Sequence, residues 1–249
     1  MAKGEYSQRN YRGLYRASDL AYFQVKLKET DLAIAVDRKS FTAELIEMAE
    51  KEVIKLRGDL ESYIALHPEF KTSFFPVVAL PGAPPIARVM IAASARAGVG
   101  PMAAVAGAIA EAVGRCLERH VREVIVENGG DIYISTGRER KIAVFAGEAP
   151  FSNRIAVKVK PGESPLGICT SSGTVGPSVS LGRADAAVIK SRDAALADAV
   201  ATGAGNLVRD AGDLVKGLEY ARSIEGVNGV LLVKGKEMAA WGEMEIAPA

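Results

Sequence analysis

The sequence predicts an α+β protein built on a mixed, mainly antiparallel sheet. Short runs that alternate apolar and polar residues recur along the chain, and brief polar or glycine-containing turns separate them, as is typical of antiparallel strands. Segments with apolar residues at three- and four-residue spacing lie between these runs and predict helices packed on the sheet. The 249 residues are 49% hydrophobic and 24% charged, which is enough apolar material for a packed core.

The first third of the chain predicts a hairpin, a helix and a loop. Residues 23–27 and 32–36 alternate around a short polar turn, which favours a β-hairpin. Ser40 is a suitable N-cap for an apolar-periodic helix that ends near Gly58 or continues to Leu66. The prolines between positions 76 and 85 then predict an extended or looped passage, because proline joins neither a helix interior nor a central strand.

The middle of the chain predicts a helix followed by a meander. Residues 102–120 are rich in alanine and glycine, so this helix can approach a sheet or another helix closely. Residues 124–127, 132–135 and 142–146 are then three strands of one antiparallel meander.

The last third predicts more strands and two helices. Asp193 is a suitable N-cap for a helix that runs to about Ala201 or somewhat beyond, and a second helix lies near residues 210–223. The predicted strands are residues 155–159, 166–170 and 184–189, with a closing hairpin of 229–233 and 237–241 around Gly235.

Charge and composition exclude several classes of function. The 31 basic and 30 acidic side chains leave a net charge of +1, which is unlike a protein that coats nucleic-acid phosphates. The apolar stretch 103–113 is too short to span a membrane, and no apolar run follows the basic first residues as in a signal peptide. Two cysteines cannot form a disulfide framework, so we expect a cytoplasmic protein with neither nucleic-acid nor membrane partners.

Glycines and hydroxyl residues are concentrated after the predicted strand 166–170. Thr170, Ser171, Ser172 and Gly173 follow this strand directly, at a position where backbone N–H groups and hydroxyls often bind anions. An ordinary loop has the same composition. No Gly-Lys-Ser/Thr ending and no dinucleotide fingerprint is present, so the segment is neither a Walker loop nor a Rossmann motif.

The turn Asn128-Gly129-Gly130-Asp131 also has two interpretations. Paired glycines supply the positive φ angles of a tight hairpin turn, and local composition favours this structural role. The same turn also places backbone amides, an amide side chain and a carboxylate at one edge of the sheet, where a polar ring system can bind.

Asp198 and Thr202 lie one helical turn apart and share a helix face. Together they offer oxygen ligands of the kind that Mg²⁺ prefers, although an isolated aspartate on a helix is usually a solvated surface group. Alanines surround Asp198 on both sides and indicate a buried helix. A buried carboxylate needs a partner, which favours the metal-site hypothesis.

Three motifs in this order resemble those of the ApbE superfamily. Glu127–Ile132 is similar to the family's Gly-Gly-Asp-Ile motif, Thr170–Gly173 to Ser-Thr-Ser-Gly, and Ala197–Thr202 to Ala-Asp-Ala-Leu-Ala-Thr. The resemblance covers roughly residues 102–206. It implies a single ApbE-like (T-fold-like) domain over residues 1–249, with a small-molecule nucleotide or anion as its ligand.

The resemblance also implies a reaction and a role for each motif. Catalytic members transfer FMN from FAD to a threonine of a partner protein with the help of Mg²⁺. Asp198 and Thr202 would then be the catalytic metal ligands, and Gly130 and Asp131 would lie by the flavin or adenine end. Thr170, Ser171 and Ser172 would face the pyrophosphate.

One segment departs from the family pattern, so the resemblance implies either FMN transfer or a degenerate form of it in an offshoot that keeps the fold, and two further alternatives follow. The catalytic branch carries His-x-x-Asp-Pro-x-Thr-Gly where this chain has residues 176–185, and the histidines here are His67 and His120. The resemblance to an offshoot of the family implies, as one alternative, a non-flavin accessory protein of sulfur metabolism in anaerobes. Cys169, beside the proposed anion loop, is then a possible reactive thiol. The other alternative is a small-anion binding module.

Overall fold

The structure, a computed structural model, describes residues 17–174 and 181–249. All strand pairings within these residues are antiparallel, and the strands form two sheets. The strands are β1 (Leu20–Leu27), β2 (Thr30–Asp37), β3 (Val124–Asn128), β4 (Asp131–Ser135), β5 (Arg140–Ala143), β6 (Ile155–Val159), β7 (Leu166–Ser171), β8 (Ala186–Ser191), β9 (Val227–Lys234), β10 (Glu237–Gly242) and β11 (Ile246–Pro248).

The helices lie between these strands in the chain. They are α1 (Ala43–Leu66), α2 (Glu69–Thr72), α3 (Pro85–Ala97), α4 (Val105–Leu117), α5 (Ala194–Leu207) and α6 (Leu214–Arg222). Short 3₁₀ turns at Pro101–Ala104 and Ala211–Asp213 lead into α4 and α6. The predicted α+β class is therefore confirmed, while the division into domains stays a prediction.

The elements form three layers. The large sheet has the strand order β1-β2-β3-β4-β7-β8-β9-β10, and the small sheet has the order β11-β6-β5. Side chains alternate across the large sheet, so Ile189 packs in the core beneath the helices while its neighbour Val188 packs in a second core. The small sheet supplies the other wall of that second core through Val157 and Val159.

Most predicted elements are confirmed, including the first hairpin, the Gly-Gly hairpin and the closing hairpin. The predicted cap of α5 is also confirmed, because the Asp193 side chain accepts a hydrogen bond of 2.9 Å from the backbone N–H of Leu196.

Two expectations were wrong, and one helix was not predicted. Ser40 does not cap α1, because its hydroxyl donates to Asp37 Oδ2 at 2.8 Å and the helix begins later, at Ala43. The segment predicted at 142–146 does not continue the meander, since β5 pairs with β6 in the small sheet. The looped passage predicted from the prolines extends to Pro84, and α3, which was not predicted, begins at Pro85, a position that tolerates the missing N–H of proline.

The length and hydropathy of each helix determine whether it can cross a membrane. No single helix in residues 17–174 and 181–249 has the length and hydropathy needed to cross a membrane. α3 and the helical segment Pro101–Leu117 reach those values only together, and a bend of 103° separates them.

Gly114 allows α4 to lie directly on the sheet. A Cβ atom at this position would be 2.1 Å from Cδ1 of Tyr133, a fully buried ring on β4. Gly58 in the exposed interior of α1 has no atom within 4 Å of a built Cβ. The two helical glycines therefore differ only in what a methyl group would meet.

We predict opposite effects of Gly114→Ala and Gly58→Ala on the free energy of unfolding. Overpacking against Tyr133 should cost about 1–3 kcal/mol. The same change at Gly58 should stabilise the protein by about 0.5–1 kcal/mol, because alanine has the higher helix propensity. Urea denaturation of both variants measures this, and equal effects would contradict the packing of α4 on β4.

Candidate functional site

The topology places two of the predicted motifs side by side. β4 runs antiparallel to β7, with Ile132 opposite Ile168, so the start of β4 lies beside the end of β7. The backbone N–H of Thr170 donates a hydrogen bond of 3.3 Å to Asp131 Oδ1. A Cβ built on Gly130 would lie 3.7 Å from the Thr170 carbonyl oxygen. The hairpin turn and the end of β7 therefore form one edge.

The hairpin turn itself explains the two glycines. Asn128 pairs with Asp131, and Gly129 and Gly130 between them have φ angles of 74° and 112°. Both angles lie in the left-handed region, where other residues are strained. The Gly130 N–H donates to Glu127 Oε1 at 3.0 Å, and Asn128 Nδ2 donates to the Ala106 carbonyl oxygen at 3.2 Å. The turn is thus tied to the beginning of α4.

Asp198 caps a helix other than its own. Its Oδ2 atom accepts a hydrogen bond of 2.9 Å from the N–H of Gly107, the third residue of α4, whose own N-cap residue is Ala104. Alanine has no side-chain acceptor, so the carboxylate from α5 satisfies a helix N-terminus that its own sequence leaves uncapped. The helix N-terminus also favours the negative charge.

α4 returns the same interaction to α5. The N–H of Ala194, the first residue of α5, donates to Glu111 Oε2 at 2.7 Å. The two helices approach closely at Gly107, where a Cβ would lie 2.2 Å from the Ala194 carbonyl oxygen. Gly107 was predicted only as one of several small residues that allow close approach, and Glu111 was not predicted. The small-residue composition of residues 102–120 was the available signal, and it predicted only close packing.

Asp131 and Asp198 form a buried pair of carboxyl groups. Each side chain is 8% exposed, and neither forms an ion pair with a basic side chain within the described residues. Burial is the largest cause that raises both pKa values. The pKa of Asp198 rises to about 7, and the charge of Asp198 further raises the pKa of Asp131.

Cys169 lies between these carboxyl groups and the start of α5. The thiol is fully buried and donates to the Ala194 carbonyl oxygen at 3.3 Å. Burial, followed by the charges of Asp131 and Asp198, raises the pKa of Cys169 well above its usual value. This environment opposes the thiolate that a reactive cysteine needs, so the geometry gives no support to the reactive-thiol hypothesis.

The side chains of Thr170 and Ser171 in the predicted anion loop lie on opposite faces of the large sheet. Cys169 packs beneath the helices and Ile168 packs in the second core, so alternation places Ser171 on the helical face and Thr170 on the opposite face. Ser171 Oγ is 3.7 Å from a Cβ built on Gly205 of α5. Of the predicted anion loop, Ser171 therefore shares the helical face with Asp131.

Ser172 and Gly173 have local structural roles. The Ser172 hydroxyl accepts a hydrogen bond of 3.2 Å from the Thr174 N–H, and the Gly173 N–H donates to the Ala184 carbonyl oxygen at 2.9 Å. A Cβ on Gly173 would lie 2.3 Å from the Gly182 carbonyl oxygen, so glycine is needed there for close backbone approach. The segment that differs from the family pattern, residues 176–185, follows directly. Its first part falls within residues 175–180, which lie outside the described residues.

Thr202 lies one turn beyond Asp198 on α5 and is half-buried. Its hydroxyl has no hydrogen-bond partner in the described part of the chain, and the same holds for the hydroxyls of Thr170 and Ser171. These hydroxyls are therefore available to a ligand, and those of Ser171 and Thr202 lie on the side of the sheet that carries α5.

The donor set fits a hard divalent cation held by few protein ligands. Within residues 17–174 and 181–249, no three or more His, Cys, Asp or Glu side chains are grouped so as to hold a metal ion. Mg²⁺, however, commonly binds through one or two carboxylates and keeps several waters. Asp198 with Thr202 offers such a set, and the buried pair of Asp131 and Asp198 lacks a positive charge.

Comparisons with known proteins identify the family to which this chain is similar. A family model described as AbpE bacteria matches residues 12–224. A UPF0280 protein of Methanococcus aeolicus is 38% identical over 226 residues, which cover 89% of this chain and 90% of that protein. A UPF0280 protein of Methanothrix thermoacetophila is 43% identical over 203 residues, which cover 81% and 85% of the two chains.

Two solved structures share the fold. The apo form of the flavinyl transferase ApbE from Pseudomonas stutzeri has a TM-score of 0.58 at 15% identity, covering 89% of this chain and 94% of that one. The ApbE protein from Thermotoga maritima has a TM-score of 0.55 at 14% identity, covering 88% and 96%.

We predict that Asp198→Asn changes how stability depends on pH. Between the usual pKa of 3.8 and the raised value of about 7, the folded state keeps the proton on Asp198 while the unfolded state releases it. The wild type should therefore lose stability relative to this variant as pH rises through that interval, by up to about 1.4 kcal/mol per pH unit. Asparagine keeps an acceptor for the Gly107 N–H, so the cap is retained. Urea denaturation of both proteins across this interval gives the difference.

Asp213→Asn is the matched control. The backbone N–H of Arg209 is the main cause that lowers the pKa of Asp213, so its contribution is complete above the ordinary pKa and does not fall as pH rises. A wild-type advantage over Asp198→Asn that stays constant or grows between pH 4 and 7 would contradict the raised pKa.

Proposed function

The chain belongs to the ApbE superfamily, through the family described as AbpE bacteria, and on that premise we propose that the sheet edge beside Asp131 and Asp198 binds FAD together with Mg²⁺. The main support is the buried pair of Asp131 and Asp198, which has no basic partner in the described residues. This pair lies next to the glycine turn and to hydroxyls without a hydrogen-bond partner in that part of the chain. The fold shared with the flavinyl transferase from Pseudomonas stutzeri supports the same choice of ligand.

Each group of residues around the proposed site has its own role. Asp198 and Thr202 hold the cation, and the reciprocal capping of α4 and α5 keeps the Asp198 carboxylate in place. The glycine turn presents backbone to the flavin or adenine end without side-chain bulk. The Ser171 hydroxyl, on the face of the sheet that carries α5, donates to the pyrophosphate.

FMN transfer to a protein hydroxyl is the reaction that this arrangement supports best. The acceptor oxygen bonds to the flavin-side phosphorus of FAD, the bond from that phosphorus to the bridging oxygen breaks, and AMP leaves. The acceptor proton passes to the Asp131 carboxyl group, whose deprotonated form a bound cation would favour. Bound Mg²⁺ supplies positive charge that stabilises the phosphate oxygens during such a transfer.

Thr170, Ser172 and Gly173 have a smaller part. Thr170 acts through its backbone N–H, which donates to Asp131, while its side chain lies on the far face of the sheet. Ser172 and Gly173 hold the backbone beyond β7 in the conformation that shapes this edge. The partners of the protein are thus a flavin nucleotide and a protein that carries the accepting hydroxyl.

We predict saturable binding of FAD that requires Mg²⁺ and depends on two side chains. Asp198→Asn and Thr202→Val should each weaken Mg²⁺-dependent binding by about tenfold or more, because each removes one oxygen ligand while keeping the shape of the side chain. Asp213→Asn, which lies outside the proposed site, should bind like the wild type. Quenching of flavin fluorescence in a titration with and without Mg²⁺ measures the dissociation constants.

Two further results decide between binding and reaction. Absence of saturable FAD binding, or equal affinity in wild type and Asp198→Asn, would overturn the proposal. Chromatography of the incubated mixture detects released AMP, which is a product of transfer whichever hydroxyl accepts the FMN. Binding without AMP release, in a mixture that also contains a threonine-bearing acceptor protein, would keep the flavin site and count against the transfer reaction.

A further inference from the structure

A buried lysine interrupts the second core, on the opposite face of the large sheet from Asp198. Ala186 and Val188 of β8 face the small sheet, and alternation gives Lys190 the same orientation. Its side chain is only 3% exposed. A buried ammonium group is costly unless it is paired, so its surroundings require an explanation.

Lys190 uses two of its three N–H donors within the protein. Its Nζ atom donates to Glu163 Oε2 at 2.9 Å and to the Glu243 carbonyl oxygen at 3.1 Å. No further acceptor for this ammonium lies in the described residues. Because an ammonium group carries three donors, one remains for another partner.

The lysine lines a cavity of about 240 Å³ that holds other uncommitted groups. Arg192, Asn228 and Glu243 also line it, and Arg192 and Glu243 are exposed residues at its rim. None of these three side chains forms a hydrogen bond or ion pair within residues 17–174 and 181–249. The charge of Lys190 is balanced by Glu163, so one free guanidinium, one free carboxylate and one free amide remain.

We propose that this cavity binds a small zwitterion with the chemistry of a free α-amino acid. The ligand carboxylate pairs with Arg192 and accepts the remaining N–H of Lys190, and the ligand ammonium pairs with the Glu243 carboxylate. A simple anion leaves Glu243 unpaired and a simple amine leaves Arg192 unpaired, so neither matches both charges. The volume is below the range typical of drug-sized ligands, which favours a ligand of this size.

Isothermal titration calorimetry with each of the common α-amino acids tests the proposal, with acetate and ethylamine as half-ligands. At least one amino acid should bind saturably, and both half-ligands should bind more weakly. Arg192→Gln and Glu243→Gln should each weaken binding by about tenfold or more, as expected when a charge-assisted hydrogen bond is lost. Arg88→Gln, at an exposed arginine of α3, is the matched control and should bind like the wild type.

Three outcomes would overturn the inference: no saturable binding of any amino acid, equal binding of acetate, or unchanged affinity in Arg192→Gln. Thermal unfolding of each variant without ligand checks that the variant folds. If Arg192→Gln does not fold, the affinity of Glu243→Gln supplies an independent measurement. The FAD titration is unaffected by these changes under our proposal, so failure here is distinguishable from failure of the flavin site.

Discussion

The reciprocal capping of α4 and α5 is the interaction on which the candidate site depends. Each helix satisfies the other's N-terminus with a carboxylate, Asp198 for α4 and Glu111 for α5. The exchange requires the two helix starts to lie side by side, and Gly107 permits this distance. The position of Asp198 against the sheet edge is therefore a consequence of helix packing. A carboxylate held in this way is already oriented before any ligand arrives.

The same interaction explains why a costly charge is tolerated in the core. Burial raises the pKa of both Asp131 and Asp198, and the helix N-terminus offsets only part of the cost at Asp198. Local stability is thus lower than an apolar pair would give. Buried pairs of carboxyl groups are concentrated at functional sites, where a bound cation or a proton removes the repulsion between the two negative charges. Cys169 is buried beside both groups, and their charges add to the effect of burial on its own pKa.

The sequence was sufficient to predict local features of the structure, but it did not predict contacts between residues far apart in the chain. The hairpins, the glycine turn and the Asp193 cap depend on residues close together in the chain, and these predictions were confirmed. The hydrogen bond from Gly107 to Asp198 joins residues 91 positions apart, and no periodicity encodes it. The partner of β5 was missed for the same reason. The opposite orientations of Thr170 and Ser171 were predictable, because strand alternation applied to neighbours separates them.

Strand β7 is shared by both proposed sites, and this restricts how the protein can vary. Leu166 lies at the amino-acid-sized cavity and Ser171 at the proposed flavin site, on opposite faces of one six-residue strand. A single inserted or deleted residue within β7 would exchange every side chain between the two cores. Evolutionary change in this strand is therefore limited to substitutions. Changes of length, and with them new ligand specificities, must arise in the connections at either end of the strand.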